Sequence, residues 1–201
     1  MVSSRLKGWF EGVVSAGVRP LASAGLTPNS VTALGLVVGF ASAACYYLWR
    51  ESMLLLPAAG GLVLLSGLLD AVDGVVARTT GKVTAFGGFF DSVADRYSDA
   101  AAIAGVSLSG LCDPVWGVLA IVGSLMVSYT RSRAEAAGVK MAGIGIAERA
   151  ERMVILAVST FASLIWVDAL GWGIVLIAIL AHLTVVQRVL HFRNESKLIN
   201  L

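Results

Sequence analysis

Five aspartates in two neighbouring apolar stretches are the residues of this sequence best suited to chemistry. Asp70 and Asp73 lie in the first stretch, and Asp91, Asp95 and Asp99 lie in the second. A carboxylate inside a bilayer costs at least about 2.5 kcal/mol, so these acids need a common explanation. At about 100° per residue, a helix stacks Asp91 and Asp95 one turn apart and places Asp70 within about 60° of Asp73. We therefore predict that these four acids point into one cleft between two antiparallel helices.

The predicted cleft would need cations, because close carboxylates repel one another and take up protons. Mg²⁺ and Mn²⁺ bind through oxygen ligands and suit a phosphate substrate, and two such ions about 3.5 to 4 Å apart would form a phosphoryl-transfer centre. Gly74 and Ala77 share the face of the acids and leave room for a nucleotide, while Arg78 could neutralise a diphosphate. Two other hypotheses stay open: an ion pathway in a transporter, and acids paired with Arg78 and Arg96 only for insertion. Asp99 continues the same face, and a hydrogen bond to a neighbouring helix explains it most simply.

The composition indicates that membrane helices must hold these acids. Hydrophobic residues make up 57% of the 201-residue chain, charged residues make up 14%, and the mean hydropathy is +0.83. A soluble domain usually carries about 25% charged residues, so the chain is an integral membrane protein by composition. The net charge of +2 is too small to indicate nucleic-acid binding. Cys45 and Cys112 lie in or beside apolar runs, which predicts buried thiols and no disulfide scaffold.

The order of apolar and polar stretches predicts an all-α, polytopic fold in two parts. Residues 1–25 form an amphipathic helix on the membrane surface, and residues 26–201 form a transmembrane domain. Thr27 caps the first membrane helix and Pro28 is its first residue. We predict six transmembrane helices, over residues 28–49, 53–77, 85–111, 115–130, 153–167 and 170–190.

Positive charge predicts the orientation of these helices. With both termini in the cytoplasm, the outer loops hold Arg50 as their one basic residue, and the other loops and both tails are basic. We therefore predict a multi-pass protein of the cell membrane, with the bilayer as a partner and the active site facing the cytoplasm.

The spacing of the acids and glycines resembles the signature of the CDP-alcohol phosphotransferase family. The pattern D-x2-D-G-x2-A-R-x8-G-x3-D-x3-D runs from Asp70 to Asp95 through Gly87 without a departure. The resemblance extends over nearly the whole chain, because this family has an amphipathic N-terminal helix and six transmembrane helices. It also implies a homodimer.

The resemblance implies a role for each residue of the pattern. Asp70 and Asp91 match the positions that bridge two divalent cations, Mg²⁺ or Mn²⁺; Asp73 matches the ligand of one ion. Asp95 matches the ligand of the other ion and also the general base. The positions implied to bind the CDP-lipid are Asn29, Ser30, Val31, Thr32, Asp73, Gly74, Ala77, Arg78 and Thr84. Without the resemblance, Asn29 and Thr84 would be interpreted as helix caps.

A second set of residues concerns the acceptor alcohol. Arg131 and Arg133 lie at the cytoplasmic end of the fourth predicted span, and Arg149 and Arg152 share a helix face at the start of the fifth. Guanidinium groups facing one cavity suit a phosphate, which they hold bidentately. The set resembles the acceptor site of one subgroup of the family, the phosphatidylinositol-phosphate and archaetidylinositol-phosphate synthases, which implies inositol-phosphate contacts for Arg131, Arg133, Arg152 and Arg188. Ordinary basic flanking residues, paired with nearby glutamates, are the alternative.

Together with the acid and arginine sets, the resemblance implies an enzyme of phospholipid biosynthesis. It would transfer the phospholipid group of a CDP-lipid to inositol 1-phosphate and release CMP, leaving open whether the tails are diacylglycerol or archaeol. Glycerol 3-phosphate and serine are the alternative acceptors. A cation-coupled transporter and a membrane prenyltransferase are the alternatives from other classes. A transporter would be expected to show internal repeats and a prenyltransferase two separate Asp-rich motifs, and neither is found.

Overall fold

The computed structural model describes residues 27–199, which form six helices and, within that range, no strand. The prediction of an all-α fold is confirmed for this part of the chain. The predicted amphipathic helix over residues 1–25 lies outside the described residues. The helices are α1 (Pro28–Tyr47), α2 (Leu55–Thr80), α3 (Ala85–Leu108), α4 (Pro114–Ala136), α5 (Arg149–Ala162) and α6 (Ala169–Ile199), and a short 3-10 turn (Trp49–Glu51) follows α1.

Local sequence signals begin and end the helices that carry the predicted site. Thr27 caps α1 as predicted: its hydroxyl accepts from the Ser30 backbone N–H, and the Ser30 hydroxyl accepts in return from the Thr27 N–H. Thr84 caps α3 in the same way by accepting from the backbone N–H of Gly87 at 2.9 Å. Gly81 ends α2, because its φ of 66° lies in the left-handed region that favours glycine.

The packing order leaves an open space between α2 and α3. Helix α1 packs along both of them, whereas α2 and α3 touch each other only slightly. The approach of α1 to α3 is close at Gly39, where a Cβ atom would lie 2.6 Å from the Ser98 hydroxyl oxygen. On the other side, α5 packs against α2 and α6, and α4 packs against α6. The acid-bearing faces of α2 and α3 therefore meet across a cleft instead of a packed interface.

Four of the described helices are long and apolar enough to cross a membrane: α1, α2, α4 and α6. This indicates a multi-pass membrane protein. Helix α3 falls outside this set because it carries Asp91, Asp95, Arg96 and Asp99. Helix α5 has only 14 residues, which at 1.5 Å per residue span about 21 Å, less than the roughly 30 Å of a hydrocarbon core.

The helix bounds differ most from the prediction at α4, α5 and α6. Helix α6 continues past the predicted residue 190 to Ile199. Helix α5 begins at Arg149, not at residue 153, and ends at Ala162, not at residue 167. Helix α4 continues past the predicted residue 130 to Ala136, where Arg131 and Glu135 form an i,i+4 ion pair at 3.0 Å. The additional turns at the end of α4, the start of α5 and the end of α6 are charged, and apolar content alone does not show that a helix continues beyond its apolar stretch.

Candidate active site

Three of the four predicted acids form a tight group between α2 and α3. One carboxylate oxygen from each of Asp70, Asp91 and Asp95 lies within 4.8 Å of the other two. Asp73 lines the same small cavity, about 10 Å³ in volume, together with these three. The structure therefore brings all four acids to one place, as the helical spacing predicts, with Asp73 at the edge of the group.

Asp73 is turned towards α1. Its carboxylate accepts a hydrogen bond of 2.5 Å from the Thr32 hydroxyl, and its residue surface is only 6% exposed. Thr32 lies in the segment that the resemblance assigns to the CDP-lipid. The contact shows how the start of α1 is coupled to the acids, because a hydrogen bond to a charged group is worth about 1.5 to 3 kcal/mol.

The main cation among the acids is Arg149, the first residue of α5. Its Nη1 atom lies 2.7 Å from Asp70 Oδ2 and 3.0 Å from Asp95 Oδ1, and its Nε atom donates to Asp99 Oδ1 at 3.2 Å. The sequence-based hypothesis of pairing named Arg78 and Arg96 as the partners. Arg96 pairs with Asp95 at 3.4 Å, and Arg149 makes more and shorter contacts with the acids than Arg96 does.

The residues assigned to the nucleotide lie around the adjoining ends of α1, α2 and α3. A Cβ atom on Gly74 would lie 3.2 Å from Arg78 Nη1, so the guanidinium folds back over the glycine one turn earlier. A Cβ atom on Gly87 would lie 3.0 Å from the Thr84 hydroxyl and 3.2 Å from the Asn29 side-chain oxygen. Asn29 and Thr84 are therefore close neighbours across two helices, although only Thr84 is a helix cap.

Four of the five predicted acceptor arginines line one large cleft. The cleft has a volume of about 720 Å³, and Asp70 and Asp95 line it as well. The lining arginines from the predicted set are Arg131, Arg149, Arg152 and Arg188. Arg133 is exposed in the last turn of α4 and is not among the described residues that line this cleft. The arginine-rich cleft therefore opens directly on the carboxylate group.

Arg188 is held by three partners and is 2% exposed. It donates to the backbone carbonyls of Ile144 (2.8 Å) and Val127 (2.5 Å) and pairs with Glu148 at 3.1 Å. Its guanidinium therefore ties α6 to α4 and to the segment before α5. Arg188 therefore both lines the cleft and fixes the position of the elements that form its wall.

The segment over residues 137–148 makes contacts that its sequence does not predict. The Ala147 N–H donates to the Thr184 hydroxyl at 3.1 Å, and the Ile146 N–H donates to the Gln187 side-chain oxygen at 3.1 Å. Gly145 has a φ of 122° and lies against Thr184. These bonds fix the start of α5 and hence Arg149 and Arg152. The clustered glycines of this segment were the one available signal.

The acid group fits a divalent cation. All its donors are carboxylate oxygens, the atoms that Mg²⁺, Mn²⁺ and Ca²⁺ prefer. Asp91 Oδ1 is buried and has no hydrogen-bond partner among the described residues, which is costly for a polar atom without a bound cation. Asp70, Asp91 and Asp95 could therefore hold a metal ion.

Comparison with known proteins agrees with this geometry. The sequence profile of the CDP-alcohol phosphatidyltransferase family matches residues 25–190. Archaetidylinositol phosphate synthase of Pyrococcus horikoshii is 42% identical over 182 residues, which make up 90% of this chain and 90% of that relative.

Two solved structures of phosphatidylinositol phosphate synthase from Mycobacterium tuberculosis are also similar. The structure with CDP-DAG bound has a TM-score of 0.77 and 32% identity, and the match covers 90% of this chain and 93% of that one. The complex with manganese and citrate has a TM-score of 0.77 and 33% identity, over 89% of this chain and 88% of that one.

Proposed function

The chain belongs to the CDP-alcohol phosphatidyltransferase family, and we propose that it transfers the phospholipid group of a CDP-lipid to inositol 1-phosphate. The products are CMP and a lipid inositol phosphate. The observation that carries this proposal is the cleft of about 720 Å³, which is lined by arginines together with Asp70 and Asp95. An anionic acceptor would be drawn to the arginines, and its hydroxyl would then lie next to the acids.

The acids fit two divalent cations, Mg²⁺ or Mn²⁺. Asp70 and Asp91 would be shared by both ions, Asp73 would hold one and Asp95 the other. The close group formed by Asp70, Asp91 and Asp95 supports this assignment. Such ions would supply charge stabilisation at the transferred phosphoryl group. The manganese in the related Mycobacterium tuberculosis structure also supports a divalent cation.

Asp95 is the proposed general base. Asp70 and Asp95 line both the small acid cavity and the large cleft, whereas Asp73 and Asp91 line only the first of these two. This access from the cleft supports Asp95, which the resemblance assigns as the base, as the group that takes the proton of the acceptor hydroxyl when that oxygen attacks the lipid-bearing β-phosphorus. The bond from this phosphorus to the bridging oxygen breaks, and CMP leaves with that oxygen.

The two substrates would be held on different helices. For the CDP-lipid we propose the positions around Asn29 and Thr84, which are neighbours at the starts of α1 and α3, and around Gly74 and Arg78, which are in contact near the end of α2. For the acceptor phosphate we propose Arg131, Arg149, Arg152 and Arg188 of the cleft. Arg133 stays in the proposal through the family resemblance alone. Ser30, Val31, Thr32, Asp73 and Ala77 complete the proposed CDP-lipid set.

We also propose that α3 and α5 lie within the membrane with the four apolar helices, giving six spans. The acids of α3 face the cleft instead of lipid, which removes most of the cost of placing them there. Helix α5 packs against α2 and α6, so its short length is compatible with a place inside the bundle. A homodimer in the cell membrane, with the cleft facing the cytoplasm, is the expected assembly.

An assay of CMP release tests the proposed function. The purified protein in detergent, with Mg²⁺ or Mn²⁺ and CDP-archaeol or CDP-diacylglycerol, is given inositol 1-phosphate, inositol, glycerol 3-phosphate or serine. We expect release with inositol 1-phosphate, loss of release on chelation, and little release with inositol. Efficient turnover of serine or glycerol 3-phosphate, with inositol 1-phosphate inert, would leave the family intact and overturn the acceptor.

A further inference from the structure

The Arg149 guanidinium contacts three carboxylates, two of which belong to proposed metal ligands. Its Nη1 atom contacts Asp70 (2.7 Å) and Asp95 (3.0 Å), and its Nε atom donates to Asp99 Oδ1 (3.2 Å). Cations bound to Asp70 and Asp95 would weaken those two contacts, because they compete for the same oxygens and repel the guanidinium. The contact to Asp99 would remain, since Asp99 lies outside the group of three that could hold a metal.

Asp99 contacts a second arginine, Arg152, as well as Arg149. Its Oδ2 atom lies 3.8 Å from Arg152 Nη2, while Oδ1 accepts from Arg149. The Asp99 side chain is 15% exposed, so its charge is poorly screened by water. Arg152 is only 5% exposed and also donates to the Ala147 carbonyl at 2.8 Å. One carboxylate of α3 therefore faces two guanidiniums from the first turn of α5.

We propose that Asp99 is a positioning residue that holds Arg149 and Arg152 at the wall of the cleft while cations occupy Asp70 and Asp95. In that state Nη1 of Arg149 is released from Asp70 and Asp95 and becomes available to an anionic group in the cleft. The inference rests on the proposed function for the identity of this group, a phosphate ester. Asp99 itself touches neither the substrate nor the ions.

This role differs from that of a purely structural ion pair. A structural pair would affect stability and all kinetic constants through unfolding. A positioning residue would affect the affinity for the phosphate and leave the affinities for the CDP-lipid and the cations unchanged, because those are held by other residues of α1, α2 and α3. The split between these constants is therefore the informative readout.

The test compares Asp99→Asn and Asp99→Glu with the wild type. Asparagine keeps the size of the side chain and one acceptor for Arg149, but removes the charge that faces both guanidiniums. Glutamate keeps the charge, so Asp99→Glu should retain part of the phosphate affinity that Asp99→Asn loses. The matched control is Asp113→Asn, the same change at the N-cap of α4, about 27 Å along that helix from Arg131.

Three quantities are measured on the full chain in detergent. They are the binding of inorganic phosphate to Mg²⁺-loaded protein by calorimetry, the binding of Mn²⁺ without substrates, and the steady-state kinetic constants, namely kcat and the KM values for inositol 1-phosphate and for the CDP-lipid. For Asp99→Asn we expect phosphate binding to weaken and the acceptor KM to rise, each about tenfold or more. The Mn²⁺ affinity, the CDP-lipid KM and kcat should stay within about threefold, and Asp113→Asn should match the wild type.

The outcomes separate this inference from the proposed function. Unchanged phosphate binding in Asp99→Asn overturns the inference, and so does a tenfold loss of Mn²⁺ affinity, which would make Asp99 a metal ligand. A wild type that binds no phosphate also overturns it. If the wild type binds phosphate but does not use inositol 1-phosphate, the proposed acceptor fails while the phosphate arm still tests Asp99.

Discussion

Asp91 shows most clearly why the acids need a cation. Its Oδ1 atom is buried without a hydrogen-bond partner among the described residues, beside Asp70 and Asp95. Asp91→Asn keeps the shape and removes one repelling charge. We expect CMP release to fall by about 100-fold or more, while the thermal midpoint of the metal-free protein does not fall.

The measurements for Asp91→Asn are CMP release and thermal unfolding with and without Mn²⁺. Binding of Mn²⁺ to the folded wild type should raise its midpoint, and this rise should be largely lost in the variant. Asp113→Asn is the control for an aspartate outside the cleft. A variant that keeps near-normal release and the full Mn²⁺ effect would contradict the metal assignment.

Gly74 tests the nucleotide side of the site. A side chain there would press on the Arg78 guanidinium, 3.2 Å from the position of a Cβ atom. Gly74→Leu should therefore raise the CDP-lipid KM by about tenfold or more and leave the protein folded. Gly61→Leu is the matched control on the same helix, because its Cβ atom would have nothing within 4 Å. Equal CDP-lipid KM values for the two variants would refute the placement.

At the residue scale, the sequence is sufficient to predict that the acids come together, but not to predict which arginine pairs with them. Helical spacing aligns Asp91 with Asp95 on α3, and the short connection that makes α2 and α3 antiparallel brings Asp70 to them. Arg149 is 50 residues from Asp99 and 79 from Asp70, so its contacts depend on how α5 docks. The arginine set was identified from its type and resemblance, but its ion pairs with the acids were not predictable.

At the element scale, side chains of α6 hold the segment before α5, residues 137–148, in place. Arg188 bridges it to α4 through the Ile144 and Val127 carbonyls and through Glu148. Arg188→Met would leave two carbonyls and one carboxylate without this partner. The Glu148 side chain is 37% exposed and can turn to water, so the loss comes mainly from the two carbonyls. We expect a destabilisation of roughly 1 to 3 kcal/mol and a higher acceptor KM.

The measurement for Arg188→Met is thermal unfolding in detergent together with the acceptor KM. Arg193→Met is the control, because Arg193 is exposed on the same helix and should change stability by no more than about 0.5 kcal/mol. A variant that keeps wild-type stability and loses only acceptor affinity would show that Arg188 acts on the ligand and not on the segment.

The existence of the six described helices was predictable, whereas the ends of α4, α5 and α6 were not. Thr27 and Pro28 give the start of α1 from local chemistry alone. The start of α5 at Arg149 carries no such signal: its N-cap is Glu148, whose side chain makes no capping bond and pairs instead with Arg188. A tertiary contact thus replaces the local one, and no window of sequence contains both partners.

At the scale of the whole molecule, the orientation in the membrane can be measured directly. Lys82 is exposed between α2 and α3 at the end of the bundle where the acids lie, and Asp168 is exposed in the connection between α5 and α6. In a background without Cys45 and Cys112, Asp168→Cys should react with a membrane-impermeant maleimide in intact cells. Lys82→Cys should react only after the cells are permeabilised. The reverse pattern would invert the proposed topology.

The central claim is that the acceptor keeps its own phosphate and joins the lipid. Inositol 1-phosphate labelled with ³²P is mixed with CDP-lipid, Mg²⁺, the purified protein and equal amounts of unlabelled glycerol 3-phosphate and serine, and the lipid and aqueous phases are separated. We predict ³²P in a single lipid inositol phosphate and unlabelled CMP in the aqueous phase. Label that stays entirely in the aqueous phase while CMP is released would contradict the claim.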